Sequence, residues 1–413
     1  MTARGPSRIL PRGRPSVKAS LLLLPTLILA LSVAVACAPY ASQTSPPRLI
    51  RIATQSPLSG PYQAEGGEAL MLAAKLAVQE LGGALKKYGL LLELVSLDDR
   101  GDPETGVSDA RHIVGDPAIV AVVGSLTSDV SLAVAEVYRD AGLAMVSPSA
   151  TNPALTDRAW PNVFRVCGRD DVQTELAARF VQRSLEAKRV HVVHDATVYG
   201  HGNADMFRDA AARRGLTLVA FEAAAAVEEV PKVASAIAAT APDVLYFSGS
   251  AEVGGSLFKE VRRLGVATQF VGSDGIDSSE LVRIAGDAVL GTHYTSVAGA
   301  VAVHPQARGF TYEYQKKFGK YPEPFAAQAY DATAVILEAI ARAARGPEGV
   351  SRKTVVSALR RTRYLGYSGP ITFDERGDLR RALYLVMEVS ANEPDDWDSN
   401  REVKRLGIAP RPR

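Results

Sequence analysis

The stretch VVGSLTSDVSLAVAEVYRDAGLAMVSPSATNPALT, residues 122–156, contains the pattern that decides the fold. An apolar run ends in Gly124-Ser125, a helical segment follows, and Gly142 precedes a second apolar run. This order predicts a strand, a helix and a second strand. Strands that are apolar along their whole length are typical of a parallel sheet covered on both faces by helices.

The same alternation extends on both sides of this stretch. Apolar runs at 49–54 and 90–97 are separated by a helical pattern over 64–81, and Asp102-Pro103 is the sequence of an N-cap followed by proline. Beyond residue 170 the pattern predicts helices over 171–185, 202–214, 231–239 and 253–264, and strands over 189–193, 216–221, 243–247 and 268–272. The chain is therefore predicted to be an α/β protein.

Two segments, 117–147 and 242–273, share one order of Pro, strand, Gly-Ser, helix, Gly and strand, which suggests two lobes of one architecture. In open α/β sheets, ligands bind beyond the carboxyl ends of the strands. Hydroxyl, glycine and acidic residues are concentrated at those ends, at 125–128, 147–151, 195–200, 248–250 and 273–274. The stiff loop after residue 147 is predicted to form one wall of a cleft.

Composition bounds the class of protein. The chain has 413 residues, 47% hydrophobic and 22% charged, which is typical of a globular protein of two or three domains. Its net charge of +2 does not mark the whole chain as a binder of nucleic acid.

The first 36 residues have the composition of a secretory signal. Five basic side chains precede the apolar run LLLLPTLILALSVAVAC, which is short for a membrane-spanning helix and is interrupted by Pro25. The AVAC at its end resembles a lipobox, so Cys37 is predicted to carry lipid; simple cleavage and an uncleaved anchor are the alternatives. Residues 37–48 are then a flexible tether. Cys167 would have no disulfide partner and is predicted to be a buried, unreactive thiol.

Motifs of catalysis are absent from the sequence. It contains no G-x-S-x-G elbow, no phosphate-binding G-x-x-x-x-G-K-[ST] loop and no G-x-G-x-x-G after a strand. His191 and His194 are predicted to point to opposite faces of one strand, so with His201 they make a poor metal site. The aspartates of LDDRGDP (97–103) are better explained by turns and helix capping than by a cation loop. No cofactor or metal is predicted.

Three groups have the chemistry to bind a zwitterion. Ser128 begins a helix whose free N–H groups suit a carboxylate, although Ser128 or Asp129 could simply be its N-cap. Thr151 offers an N–H and an oxygen, or else only completes a turn. Asp274 lies at a strand end in the second lobe and could accept an ammonium group.

Over residues 48–390 the chain resembles the type I periplasmic binding proteins, specifically the leucine/isoleucine/valine-binding proteins of ABC importers. The resemblance rests on residues 122–156 and on the matching stretches SGPYQAEGGE (59–68), LDDRGDPETGVSDARHIV (97–114), HDATVYGHG (194–202), LGVATQFVGSDG (264–275), LVRIAGDAVLGT (281–292) and YSGPITFDERGDL (367–379). It implies two Rossmann-like lobes with parallel-rich sheets, joined by three hinge crossovers near Arg169, Ser296 and Gly369. The implied bounds are 49–169 plus 297–368 for lobe I, 170–296 plus 369–392 for lobe II, and 393–413 for a C-terminal tail.

The resemblance also implies the site. The ligand α-carboxylate would be held by Ser128 and by the Ser149-Ala150-Thr151 loop, and the α-ammonium by Asp274 and that loop, with Tyr199 beside them. The chain departs from the family elsewhere: Asp274 replaces the commoner glutamate, and Glu65, Ser250 and Ala251 stand where aromatic residues often line the side-chain pocket. Arg100 and Thr127 occupy the positions of a disulfide seen in some relatives.

The function that follows is that of an extracytoplasmic solute receptor of an ABC importer, a non-enzymatic monomer anchored through Cys37 at the periplasm or cell surface. Its ligand would be a branched-chain or other apolar amino acid, and its partners the permease subunits; no nucleic acid is expected. The alternatives are a receptor of the same fold for an amide, urea or an aromatic acid, a sensory binding protein, and an exported α/β enzyme.

Overall fold

A computed structural model describes residues 46–299, 301–391 and 393–408 of the chain. The described residues from Pro47 onwards belong to one compact unit. The predicted signal (1–36), the predicted lipidation site Cys37 and most of the predicted tether (37–48) lie outside the described residues. Across the described part of the chain, no helix is both long and apolar enough to span a membrane.

One sheet has five strands, all parallel, in the order β2-β1-β3-β4-β5. The strands are β1 (Arg48–Ser56), β2 (Leu90–Asp98), β3 (Ile119–Gly124), β4 (Ala144–Ser147) and β5 (Val163–Arg165). This is a doubly wound order, in which the direction of winding reverses between β1 and β3.

The second sheet repeats that order and adds two antiparallel strands, giving β14-β13-β10-β9-β8-β6-β7. Its strands are β6 (Arg189–His194), β7 (Thr217–Ala223), β8 (Val244–Ser248), β9 (Gln269–Gly272), β10 (His293–Ser296), β13 (Ala382–Glu388) and β14 (Arg401–Ile408). A separate antiparallel pair consists of β11 (Tyr364–Gly366) and β12 (Gly369–Ile371). The chain passes between the two large sheets three times: after β5, after β10 and before β13.

Helices cover both sheets. In chain order the α-helices are α1 (Gly67–Leu81), α2 (Pro103–Gly115), α3 (Ser128–Asp140), α4 (Ala154–Asp157), α5 (Asp170–Arg183), α6 (Val198–Arg213), α7 (Val230–Thr240), α8 (Ala251–Arg263), α9 (Glu280–Ala285), α10 (Arg308–Phe318), α11 (Ala326–Ala344) and α12 (Arg352–Leu359). Short 3-10 helices occupy Pro61–Gln63, Gly82–Tyr88, Val227–Glu229, Asp274–Ile276, Gly286–Val289, Val301–Val303, Pro305–Ala307 and Pro394–Ser399.

The local sequence explains most of these elements. Every residue of β3 and β4 is buried, as expected for parallel strands covered on both faces. Asp102 caps α2 by accepting a hydrogen bond from the Thr105 N–H, as its sequence predicted. Helix α6 begins at Val198, four residues earlier than predicted, because Thr197 caps it despite the glycines at 200 and 202.

A buried ionic cluster fixes the loops near the first crossing between the sheets. Asp378 lies 2.6 Å from Arg165 Nε and 2.8 Å from Arg169 Nη1, and all three side chains are buried. Burial would raise the pKa of Asp378, but the two guanidinium groups outweigh it and hold this pKa below its usual value. The Arg165 N–H also donates to the Gly377 carbonyl, so the segment before β13 lies along β5.

The prediction of a C-terminal tail over 393–413 was wrong for its described part. Residues 401–408 form β14, which pairs with β13 at the edge of the seven-stranded sheet. The buried Trp397 precedes this strand and donates its indole N–H to Asp277 Oδ1 at 3.1 Å. In its sequence, REVKRLGI, apolar and polar residues alternate only weakly. This is expected because an edge strand buries little of either face.

Candidate functional site

A cavity lies where the carboxyl ends of strands from both sheets meet. Its walls come from the loops after β1, β3 and β4 on one side, and from the loops after β6, β8 and β9 on the other. These loops include those at the switch points of both sheets, where doubly wound folds bind ligands. Of the residues predicted for the site, Ser128, Ser149, Thr151, Tyr199 and Asp274 line the cavity.

Ser128 is the first residue of α3 but is not its cap. The N-cap is Thr127, whose hydroxyl oxygen accepts a hydrogen bond from the Val130 N–H at 3.3 Å. The alternative that Ser128 or Asp129 is the N-cap is therefore wrong. The Ser128 hydroxyl instead accepts from the Asn152 N–H at 3.3 Å, which joins the start of α3 to the loop after β4.

The loop after β4 is held by its own hydroxyl and amide groups. Ser147 Oγ accepts from the Ala150 N–H at 3.0 Å, and Asn152 Oδ1 accepts from the Ala154 N–H at 2.9 Å. Ser149 Oγ donates to the Leu126 carbonyl at 2.7 Å. These side chains stabilise the turn, while the side chain of Thr151 lines the cavity.

Both backbone groups of Ala150 have partners within the protein. Its N–H is bonded to Ser147, and its carbonyl accepts from Arg165 Nη1 at 3.0 Å. Cys167 lies beneath the same carbonyl, with Sγ 3.7 Å from the oxygen. Burial raises the pKa of the Cys167 thiol, and the prediction of a buried, unreactive cysteine is confirmed in its burial.

Asp274 is buried on the opposite wall. Its Oδ1 accepts a hydrogen bond from Gln173 Nε2 at 2.6 Å and lies 2.8 Å from the Tyr199 hydroxyl. The same hydroxyl lies 2.8 Å from Ser273 Oγ and accepts from the Gly275 N–H at 2.8 Å. Burial, with a further contribution from the nearby Asp170 carboxylate, raises the pKa of Asp274 well above its ordinary value. An ammonium group placed here would relieve that electrostatic cost.

Asp170 is a second buried acid near this wall, at the start of α5. Its Oδ1 accepts from Asn203 Nδ2 at 2.9 Å, and Asn203 Oδ1 accepts from the Tyr246 hydroxyl at 2.7 Å. Burial raises the pKa of Asp170 to about 6, against the opposing effect of Asn203 and Thr151. The second wall therefore has an excess of buried acid.

The remaining part of the cavity combines apolar and acidic groups. Leu126, Phe325 and the ring of Tyr62 lie beside Glu65 and Ser250. Burial raises the pKa of Glu65 to about 8, although backbone N–H groups of α8 lower it. This raised pKa favours the protonated, uncharged form of Glu65, which is compatible with an apolar ligand side chain.

Two important residues were missed by the sequence analysis. Gln173 lies in α5 and meets Asp274 from 101 positions away along the chain. Phe325 precedes α11, in a part of the chain that had no site prediction. Neither residue stands in a strand-end cluster, so the pattern of hydroxyl, glycine and acidic residues could not reveal them.

The other singled-out groups have structural surroundings. His191 contacts Thr240 and Glu222, whereas His194 packs against His201 with ring centroids 4.7 Å apart and ring planes tilted by 48°. Asp98 accepts a hydrogen bond from the Arg100 N–H, as expected of a turn residue, and others from Leu58 and Ser59. Among the described residues, no three His, Cys, Asp or Glu side chains are grouped so that they could hold a metal ion.

The doubly wound sheets and the cavity between their carboxyl edges define a binding protein of the periplasmic class. The chain belongs to the periplasmic binding protein family, whose model matches residues 49–393. It is 35% identical over 378 residues to the Leu/Ile/Val-binding protein BraC3 of Rhizobium johnstonii, covering 90% of this chain and 99% of that protein.

Two further relatives agree with this assignment. A leucine-, isoleucine-, valine-, threonine- and alanine-binding protein of Pseudomonas aeruginosa is 30% identical over 360 residues, which cover 87% of this chain and 94% of that protein. The crystal structure of the leucine-binding protein LivK of Thermotoga maritima superposes with a TM-score of 0.77 at 28% identity, covering 86% of this chain and 98% of that one. The predicted fold and family are confirmed.

Proposed function

We propose that this chain is the extracytoplasmic receptor of an ABC importer and that it binds an apolar amino acid, branched-chain amino acids first. Its similarity to proteins named for binding leucine, or leucine, isoleucine and valine, favours this ligand class. The observation that carries the proposal is one cavity with hydroxyl groups on one wall and a buried carboxylate on the other.

Each wall of the cavity binds one charged group of the ligand head group. Ser128, Ser149 and Thr151 bind the α-carboxylate with hydroxyl and N–H groups at the start of α3, where the helix dipole favours an anion. Asp274, held by Tyr199, binds the α-ammonium. The Ala150 N–H is bonded to Ser147 and does not bind the ligand. Ala150 therefore acts by keeping the backbone of this loop in place. The ligand side chain packs on Leu126, Phe325 and Tyr62.

The lobes are those that the sequence suggested, with two adjustments. The sequence suggested 49–169 plus 297–368 for lobe I and 170–296 plus 369–392 for lobe II. The contact of Arg165 with Gly377 favours a third crossover after Asp378, and the pairing of β14 with β13 favours adding 393–408 to lobe II. The lobes close on the ligand by a hinge.

The partners are the permease subunits of the importer. The signal at 1–36 directs export, and lipid attached at Cys37 keeps the receptor at the outer face of the membrane. The receptor acts as a monomer. Incorporation of labelled fatty acid into the wild type, but not into Cys37→Ala, tests the anchor. Equal labelling of both forms would contradict it.

The receptor binds its ligand and releases it unchanged. Calorimetry with leucine, isoleucine, valine, alanine and threonine, alongside acetamide, urea and benzoate, tests the ligand class. We expect one-to-one binding of the apolar amino acids, and no conversion of a bound ligand over hours. Binding of only those compounds that lack an ammonium would overturn the proposal in favour of a receptor for amides, urea or aromatic acids.

A further inference from the structure

Asp129, on the side of the five-stranded sheet, reaches a helix of the other sheet. Its Oδ1 accepts a hydrogen bond from the Val198 N–H at 2.8 Å, and its Oδ2 accepts from the Tyr199 N–H at 3.2 Å. Val198 and Tyr199 are the first two residues of α6. Asp129 immediately follows the proposed ligand contact Ser128, and Tyr199 is itself a proposed ligand neighbour.

Glu65 makes an equivalent contact from the loop after β1. Its Oε1 accepts from the Glu252 N–H at 3.0 Å, and Glu252 is the second residue of α8. Like Asp129, Glu65 lines the cavity, and it lies 187 positions along the chain from its partner. Two acidic side chains of one half therefore meet two separate helices of the other half.

The partner helices leave these N–H groups free for such a contact. The first N–H groups of a helix have no partner within the helix. Each helix satisfies its third N–H locally: Thr197 accepts from Gly200 at 2.9 Å, and Ser250 accepts from Val253 at 3.4 Å. The first and second N–H groups remain, and Asp129 and Glu65 take them from across the cavity.

We propose that Asp129 and Glu65 are positioning residues that hold the two halves closed on the ligand, each by accepting hydrogen bonds from the first turn of the facing helix. The proposal rests on the proposed function, because it assigns to these residues a part of the ligand affinity. When the halves separate, the same carboxyl and N–H groups return to water, so the bonds stabilise only the closed form.

A third contact of the same kind supports the assignment. Glu323, which precedes α11, accepts hydrogen bonds from the hydroxyl and N–H groups of Ser279, on the side of the seven-stranded sheet. Burial raises the pKa of Glu323 to about 7. This contact lies outside the lining of the ligand cavity and shows that acidic side chains join the halves at more than one place.

The test compares variants that remove the acceptor with variants that retain one. Asp129→Ala and Glu65→Ala remove it. Glu65→Gln keeps an acceptor oxygen for the Glu252 N–H, whereas Asp129→Asn can satisfy only one of two N–H groups. Glu228→Gln, at an exposed position outside the cavity, is the matched control. Thermal unfolding of each variant verifies that it folds.

Ligand affinity is the first measurement, by calorimetry with leucine. We expect Asp129→Ala to bind about 10- to 100-fold more weakly, from the loss of hydrogen bonds to a charged group. Asp129→Asn should be intermediate, Glu65→Ala weaker than wild type, and Glu65→Gln and Glu228→Gln close to wild type or tighter. Wild-type affinity in Asp129→Ala and Glu65→Ala would overturn the proposal.

The second measurement is the fraction of molecules in the closed form. It does not depend on the identity of the ligand. Spin labels at Gln63→Cys and Lys232→Cys, in a Cys37→Ala background, report the distance between the halves by electron–electron resonance. We expect longer distances in Asp129→Ala than in Glu228→Gln. If the wild type binds no amino acid, the proposed function fails alone; if the distance distributions of the two variants are also identical, this inference fails with it.

Discussion

Gln173 holds Asp274 by two hydrogen bonds: its Nε2 donates to the carboxylate at 2.6 Å, and its Oε1 accepts from the Asp274 N–H at 3.3 Å. Oε1 also accepts from the Thr295 hydroxyl at 3.0 Å, which fixes the amide in place. Both side chains are buried. A short acidic side chain is thus held rigidly at the wall where a longer one is common in the family.

Asp274→Asn should weaken the binding of every amino acid that the protein takes, because Asp274 is assigned to the head group. The variant keeps the shape and leaves a buried ammonium without a counter-charge, which typically costs about 2–5 kcal/mol. Calorimetry should show a loss of about 30- to several-thousand-fold. Asp287→Asn, at an exposed position, is the control. Normal binding by Asp274→Asn would show that the head group lies elsewhere.

Thr151→Ala and Ser147→Ala should separate binding from turn formation in one loop. Thr151 lines the cavity, so its loss should reduce affinity by about 0.5–1.5 kcal/mol, or more if the partner is charged, with a smaller fall in the melting temperature of the ligand-free protein than Ser147→Ala causes. Ser147 is buried and bonded to the Ala150 N–H, so its loss should lower the melting temperature. The reverse pattern would assign Thr151 to the turn.

Glu65 should make affinity depend on pH. In the closed form, burial and the nearby Glu252 and Asp195 carboxylates, with Asp129 and the Tyr62 hydroxyl also facing this region, keep its pKa at about 8 against hydrogen bonds from α8. An open cleft would return this pKa towards about 4.3, so closure takes up a proton between these values. The contribution of Glu65 is therefore unchanged below about pH 4 and becomes increasingly unfavourable as pH rises to 8.

Glu65→Gln cannot titrate, so the comparison isolates this group. The ratio of wild-type to Glu65→Gln affinity should fall as the pH of calorimetry is raised from 5 to 8, with the variant binding more tightly at pH 8. A constant ratio would mean that Glu65 does not change its protonation on closure.

Asp378→Asn should destabilise the fold rather than the site. Removing one partner of a buried ion cluster typically costs about 3–5 kcal/mol, because Arg165 would keep a buried charge without its counter-ion. Asp140→Asn breaks an exposed pair with Arg139 and should cost at most about 1 kcal/mol. Denaturant unfolding measures both. A small effect at Asp378 would mean that Arg165 is satisfied by its carbonyl partners alone.

The same carboxylate has a pH signature. The pKa of Asp378 is lowered in the folded protein, so its stabilisation is complete above the unfolded pKa of about 3.9 and is lost as pH falls through the folded value. Unfolding experiments between pH 2 and 5 should show a smaller acid-induced loss of stability in Asp378→Asn than in the wild type. Parallel curves would contradict the assignment.

Much of the fold could be predicted from the sequence because most strands are short apolar runs and several helices, such as α2 and α3, carry their own side-chain cap. The start of α6 was missed because glycines at 200 and 202 weaken the helical pattern, whereas in the structure the Thr197 cap and the contact with Asp129 satisfy its first N–H groups. Strand β14 was missed because an edge strand has no continuous apolar run to mark it.

The site was predictable where its residues follow strands. Ser149, Thr151 and Asp274 stand in loops whose composition differs from the rest of the chain. Gln173 lies in a helix, and Asp170 at its start, and their importance comes only from folding of the chain against Asp274. A single sequence carries no local signal for such long-range partners.

The position of β14 also determines when folding of the seven-stranded sheet can be completed. Residues 401–408 cover the free edge of β13, so the larger sheet cannot close that edge until nearly the whole chain has been synthesised and exported. Until then β13 presents unpaired backbone groups, which can recruit a strand from another copy. Shortening the chain before residue 401 should therefore leave the ligand cavity largely intact while making the protein more prone to aggregate.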